Sequence, residues 1–103
     1  MRTIEISEQA QKRLTEITDY YLLNESSERT LKVINSFDKA FLEIAANPFA
    51  YKKFISTEFV NLDIRIYTHF KTYHIYFVVS AESIRIAEIF HLSQSTDRRL
   101  FDL

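Results

Sequence analysis

Residues 63–79 read DIRIYTHFKTYHIYFVV. Before a short break, Ile64 and Ile66 alternate with Arg65 and Tyr67. After it, Ile75, Phe77 and Val79 alternate with His74, Tyr76 and Val78. A period of two on both sides of a break is the pattern of a β-hairpin lying with one face on a core. A turn centred on Lys71-Thr72 pairs His69 with His74, Tyr67 with Tyr76, Arg65 with Val78, Ile66 with Phe77 and Ile64 with Val79. In that register Ile64, Ile66, Ile75, Phe77 and Val79 face the core, and Arg65, Tyr67, His69, His74 and Tyr76 form the open face.

A third strand, 83–90 (SIRIAEIF), follows through a turn at Ala81-Glu82. Val79 then pairs with Ile84, Phe77 with Ile86 and Val78 with Arg85. This sets Arg65 and Arg85 in one row of the open face, roughly 10 Å apart across two strand spacings. His91 shares the parity of Arg85. Glu88 falls on the core side, where an unpaired carboxylate is costly, so a bulge or strand end is expected near it.

Upstream, residues 2–6 (RTIEI) read as an opening strand. Ser7 is placed as an N-cap with Glu8 in the first turn, and Ala10, Leu14, Ile17 and Tyr21 line one face of a helix ending near Asn24. A second helix starts at Ser26 or Ser27, carries Leu31, Ile34, Phe37, Ala40, Phe41, Ile44 and Ala45 on its apolar side, and is stopped by Pro48. The whole, 1–103, is a single α+β domain of order β-α-α-β-β-β: a two-layer sandwich with a helix hairpin packed on one face of a mainly antiparallel four-stranded sheet.

Composition narrows the function classes. The chain has 103 residues, 47% apolar and 15% aromatic, as expected of one globular domain. It has 13 Lys and Arg against 14 Asp and Glu, without the basic excess usual where phosphate contacts dominate. With no cysteine there is no disulfide framework or thiolate metal site, and with no glycine there is no phosphate-cradling loop. No window is apolar enough for a membrane span and the N-terminus lacks a signal-peptide h-region, so a cytoplasmic protein is expected. His69 and His74 lack a carboxylate or cysteine at a spacing that completes a metal site, so neither metal nor cofactor is expected.

The tyrosines and histidines of the hairpin read first as the wet face of a sheet, where cross-strand aromatic pairs add stability. Two arginines in one row add none, which makes Arg65 and Arg85 candidates for a site. Arg, His, Lys and Tyr supply the base, acid and cations that cleavage of RNA through its 2′-hydroxyl needs.

The segments ITDYYL, FDKAFLEIAANP, RIYTHFKTYHIYFVV and IRIAEIFHLSQ, in this order, resemble the RelE/ParE superfamily of bacterial toxins from type II toxin–antitoxin systems. The strand arginine, the F-x-x-Y-x-I-Y-F run and the I-F-H ending are most similar to its ParE-like plasmid-stabilisation branch. The resemblance implies a cognate antitoxin whose C-terminal segment wraps the toxin. It implies either DNA gyrase poisoning (ParE-like) or ribosome-dependent mRNA cleavage (RelE-like); a homodimer and a degenerate, non-catalytic binding module are further alternatives. By position, Arg65 matches the strand arginine and His91 the residue ending the last strand. These two would be the catalytic residues of a metal-independent endoribonuclease. Lys52, Lys53, Arg85, Arg98 and Arg99 would contact nucleic acid or target. The low basic charge, and HFKT in place of an arginine before the hairpin tyrosine, favour the ParE-like branch.

Overall fold

The computed structural model describes residues 2–92. Strand β1 (Thr3–Ile6) leads into helix α1 (Glu8–Asn24) and helix α2 (Ser27–Ala46). A 3-10 turn (Pro48–Ala50) then enters the short strand β2 (Lys52–Phe54), followed by β3 (Asp63–His69), β4 (Tyr73–Val79) and β5 (Ser83–His91). The sheet has the order β1-β5-β4-β3-β2, with β1 parallel to β5 and the remaining pairs antiparallel. The α+β architecture and the helix hairpin on one face are as the sequence predicts. The sheet has five strands rather than four because Lys52–Phe54, expected in a loop, pairs along β3 as an edge strand.

The helix boundaries follow from their caps. Ser7 has extended backbone; its Oγ accepts from Ala10 N at 3.0 Å and donates to Ala87 O at 2.8 Å, while its own N–H donates to Ile86 O at 3.0 Å. One residue therefore ends β1, starts α1 and fastens both to β5. Ser26 caps α2 through Arg29 N, and Pro48 prevents its extension.

The buried face of α2 is rotated at its start relative to the sequence expectation. Thr30 and Val33 are buried, whereas Leu31 is 60% and Ile34 37% exposed. The stripe Thr30–Val33–Phe37–Ala40–Ile44 is continuous at helical spacing, while the one through Leu31 and Ile34 runs into Asp38. Thr30 enters the core without an orphaned hydroxyl because its Oγ1 donates to Ser26 O at 2.8 Å. The main core joins Val33, Phe37, Ala40, Phe41, Ile44 and Ala45 of α2 and Ala10 of α1 to Tyr73, Ile75, Phe77, Val79, Ile84, Ile86 and Ile89. A second cluster, Ile64, Tyr76 and Phe90 with Phe54, Phe59, Ile66 and Val78 against it, covers part of the opposite sheet face.

The β3–β4 register differs from the expected one by a single residue. Phe70 and Lys71, both at φ 56°, form the turn, and Thr72 N donates to His69 O at 3.0 Å. The two residues at positive φ close a tight turn, and Thr72 adds a third loop residue before Tyr73. His69 consequently pairs with Tyr73, Tyr67 with Ile75, Arg65 with Phe77 and Ile64 with Val78. Since neighbouring residues point to opposite faces, the slip turns β3 over: Arg65, Tyr67 and His69 lie on the helix side and Ile64 and Ile66 on the other. The β4–β5 pairings Val79–Ile84, Val78–Arg85 and Phe77–Ile86 are as expected, and a register shift between Tyr76 and Phe77 gives the irregularity expected near Glu88.

Candidate functional site

The expected Arg65–Arg85 row does not exist. Arg65 pairs with Phe77 on the helix side, and Arg85 pairs with Val78, whose other neighbour is Ile64, on the opposite face. The one-residue turn shift is the cause.

Arg65 is held from several directions. Its Nε donates to Asp63 Oδ1 at 3.0 Å and its Nη2 to Oδ2 at 3.5 Å, while Nη1 reaches Tyr51 O at 3.0 Å and Phe49 O at 3.4 Å. Its guanidinium also lies 5.0 Å from the Phe49 ring centroid, and the side chain is only 16% exposed. A forked cation that satisfies two backbone carbonyls fastens the 3-10 turn and the entry to β2 onto β3. Lys53 pairs with Arg65 and Lys52 with Ile66, both exposed on edge strand β2. Arg98 and Arg99 lie outside the described residues.

Further along the helix side of β3, Tyr67 donates to Glu43 Oε2 at 2.7 Å and packs edge-on against Tyr51. Burial, and then the hydrogen bond to Glu43, push the Tyr67 hydroxyl up to about 12. His69 is buried between Phe37, at 4.5 Å between ring centroids, and Phe70, stacked at 4.1 Å. Its Nε2 is 3.0 Å from Ser36 Oγ, which itself lies 2.6 Å from Val33 O. With the serine hydroxyl donating to Val33 O, the arrangement fits the tautomer in which Nε2 carries the proton and donates to Ser36. Burial pulls the His69 pKa below its ordinary value, with the Glu43 charge opposing. Ser36 and Glu43 were missed by sequence reasoning, because nothing local links α2 to β3 before the register is known.

His91 leaves the helix side of the sheet, paired with Tyr73 and edge-on to its ring at 5.4 Å. It shares a face with Arg65, as expected, but that face is the helix-covered one. Four residues along β4 and two strand steps separate them, roughly 16 Å from backbone to backbone. Behind His91, Glu88 is buried; its Oε1 accepts from Arg13 Nε at 3.2 Å and from Ile89 N at 2.9 Å. Arg13 also holds Glu16 at 3.1 Å. Burial works against the Arg13 charge, but the two carboxylates outweigh it and raise its pKa. The expected problem of Glu88 on the core side is thus solved from α1. The stripe Arg13, Glu16, Ile17 and Tyr20, at spacings of three, one and three, could have marked this face of α1. Among the described residues, no three His, Asp or Glu side chains gather as a metal would require. No described helix is long and apolar enough to cross a membrane.

The fold is similar to that of one chain of a solved structure described as a chromosomal ParDE TA system from P. aeruginosa. The two share 18% sequence identity over 88% of this chain and 96% of that one, with a TM-score of 0.71, a likeness of fold. Residues 4–96 match the family described as ParE toxin of type II toxin-antitoxin system, parDE. The chain belongs to that family of ParE toxins. No curated protein sequence matches it.

Proposed function

We propose that this chain is the toxin of a toxin–antitoxin pair, neutralised by a cognate antitoxin encoded beside it, and that it acts by inhibiting DNA gyrase. The match of residues 4–96 to ParE toxins carries the reading. The dispersal of the nuclease set supports it against mRNA cleavage. Cleavage through a 2′-hydroxyl needs base, acid and cation around one phosphate. Arg65 spends its donors on Asp63 and two carbonyls, Arg85 sits on the other face, and His91 is far along the sheet. Exposed apolar side chains on the helix hairpin, among them Leu23 at 84% and Leu31 at 60%, offer the kind of surface an antitoxin segment would cover.

The experiment compares plasmid supercoiling by purified gyrase with in vitro translation, each with added toxin and again with toxin plus antitoxin. Supercoiling is lost, translation continues, and antitoxin reverses the effect. Collapse of translation with codon-positioned mRNA cuts would assign the RelE-like nuclease instead. Inactivity in both assays would leave a degenerate binding module.

A further inference from the structure

Between α1 and the ends of β4 and β5 lies a cavity of ≈ 400 Å³, within the size range of ligand pockets. The ParE-like reading makes no use of it. Its lining includes Tyr20, Tyr21 and Tyr73, together with His91, Arg13 and Glu16. The rings are set at right angles in two pairs, Tyr20 to Tyr21 at 5.4 Å and 87°, and Tyr73 to His91 at 5.4 Å and 88°. Perpendicular pairs offer both ring faces and ring edges to what lies beside them. Tyr73 is buried, and its hydroxyl, desolvated and hydrogen-bonded with Tyr21, is pushed up to about 12; it stays a neutral phenol.

The charge balance decides what such a space accepts. Among the described residues Arg13 is the one guanidinium in the wall, and it is matched by two carboxylates, Glu88 at 3.2 Å and Glu16 at 3.1 Å. The Arg13–Glu16–Glu88 group therefore carries a formal charge of −1. Glu16 is 52% exposed and engages Arg13 through one oxygen, while Glu88 is buried. Aromatic faces with a carboxylate at the mouth attract an organic cation and repel an anion.

We propose that this cavity is a receptor for a guanidinium or alkylammonium group. The aromatic faces stack on the cation and Glu16 neutralises it, while Arg13 and Glu88 hold the wall. Either an arginine side chain of a bound polypeptide or a free amine could supply the group. The inference does not depend on gyrase being the target.

The test titrates the folded protein with N-acetyl-arginine amide, agmatine, the uncharged isostere N-acetyl-citrulline amide, and inorganic phosphate, following the tyrosine ring resonances by NMR. Both cations shift Tyr20, Tyr21 and Tyr73 saturably, and the citrulline compound binds at least roughly tenfold more weakly. Glu16→Gln and Tyr20→Leu, both at exposed side chains, each weaken cation binding roughly two- to fivefold while the amide spectrum stays folded. Tighter binding of N-acetyl-arginine amide than of agmatine assigns the site to a polypeptide side chain, and the reverse order to a free amine. The proposal is overturned if neither cation shifts these rings, if citrulline binds as well as arginine, if phosphate is the probe that saturates, or if both folded variants bind unchanged.

Discussion

Glycine replacements at Lys71 and Thr72, compared, test the register on which the site description rests. Phe70 and Lys71 both sit at φ 56° in a chain that has no glycine at all. A side chain in the left-handed region costs about 1–2 kcal/mol, because Cβ crowds the following carbonyl oxygen. Glycine removes that cost at position 71 but enlarges the freedom of the unfolded chain, which takes back about 0.5–1 kcal/mol. Lys71 is exposed and no hydrogen bond from its side chain is lost. Lys71→Gly is therefore expected to stabilise the protein by about 0.5–1 kcal/mol, or roughly 2–8 °C in Tm for a domain of this size. In urea the midpoint rises with an unchanged slope. Thr72→Gly is the control: Thr72 N bonds His69 O, its Oγ1 donates to Phe70 O at 3.0 Å, and its carbonyl accepts from Leu92 N at 2.8 Å. Its loss of side chain is expected to destabilise by about 1 kcal/mol. Stabilisation by Thr72→Gly would refute the reasoning, because Lys71 is central to a turn on either Phe70-Lys71 or Lys71-Thr72 and Thr72 only to the second. It would move the turn one residue on and return Arg65, Tyr67 and His69 to the helix-free face.

Arg65→Ala is expected to lower stability by about 2–3 kcal/mol, seen as a fall in urea midpoint, because Asp63 and two carbonyls lose a charged donor. Arg65→Lys, which cannot fork, recovers less than half of that; full stability of the alanine variant would show that these contacts contribute nothing. Toxicity lost in Arg65→Ala has to be compared with its folded fraction before any chemical role is drawn. His69 has its pKa below the ordinary 6.5, so under mildly acidic conditions the unfolded chain binds a proton that the folded one refuses. Its contribution is fully present above pH 6.5 and is lost as pH falls through the folded value. Unfolding midpoints at pH 7.5 and 5.0 differ less for His69→Gln than for the parent, and equal differences would remove His69 as the cause. Arg13→Ala leaves Glu88 buried without its cation and is expected to cost about 3 kcal/mol by urea unfolding; a loss below 1 kcal/mol would mean that Ile89 N alone satisfies the carboxylate.

Much of the fold is local chemistry and could be read directly. Ser7 and Ser26 announce helix starts because a short hydroxyl side chain satisfies an orphan N–H, and Pro48 announces a stop. Ile75, Phe77, Val79, Ile84 and Ile86 declare their inward face by alternation, and the misplaced carboxylate of Glu88 signals the irregularity in β5. The candidate site was less legible. Arg65 was singled out as a site candidate, but besides Asp63 its partners are backbone carbonyls of residues 49 and 51, which no side-chain pattern encodes. His91 was placed on the face of Arg65, and the distance between them follows only from the pairing of three strands.

By itself the sequence determined the order of the two helices and of every strand but β2, the helix ends and the inward faces of β4 and β5, since these rest on caps, proline geometry and apolar periodicity. Tertiary structure decided which way β3 faces. Its two sides are both able to be buried, Ile64 and Ile66 against Phe54, Phe59, Tyr76 and Phe90, and Arg65, Tyr67 and His69 through bonds to Asp63, Glu43 and Ser36. A turn without glycine or asparagine carries no local mark of its centre, so the choice fell to contacts made across the fold. That choice moved Arg65 from an open row of cations into the packing beneath the helices.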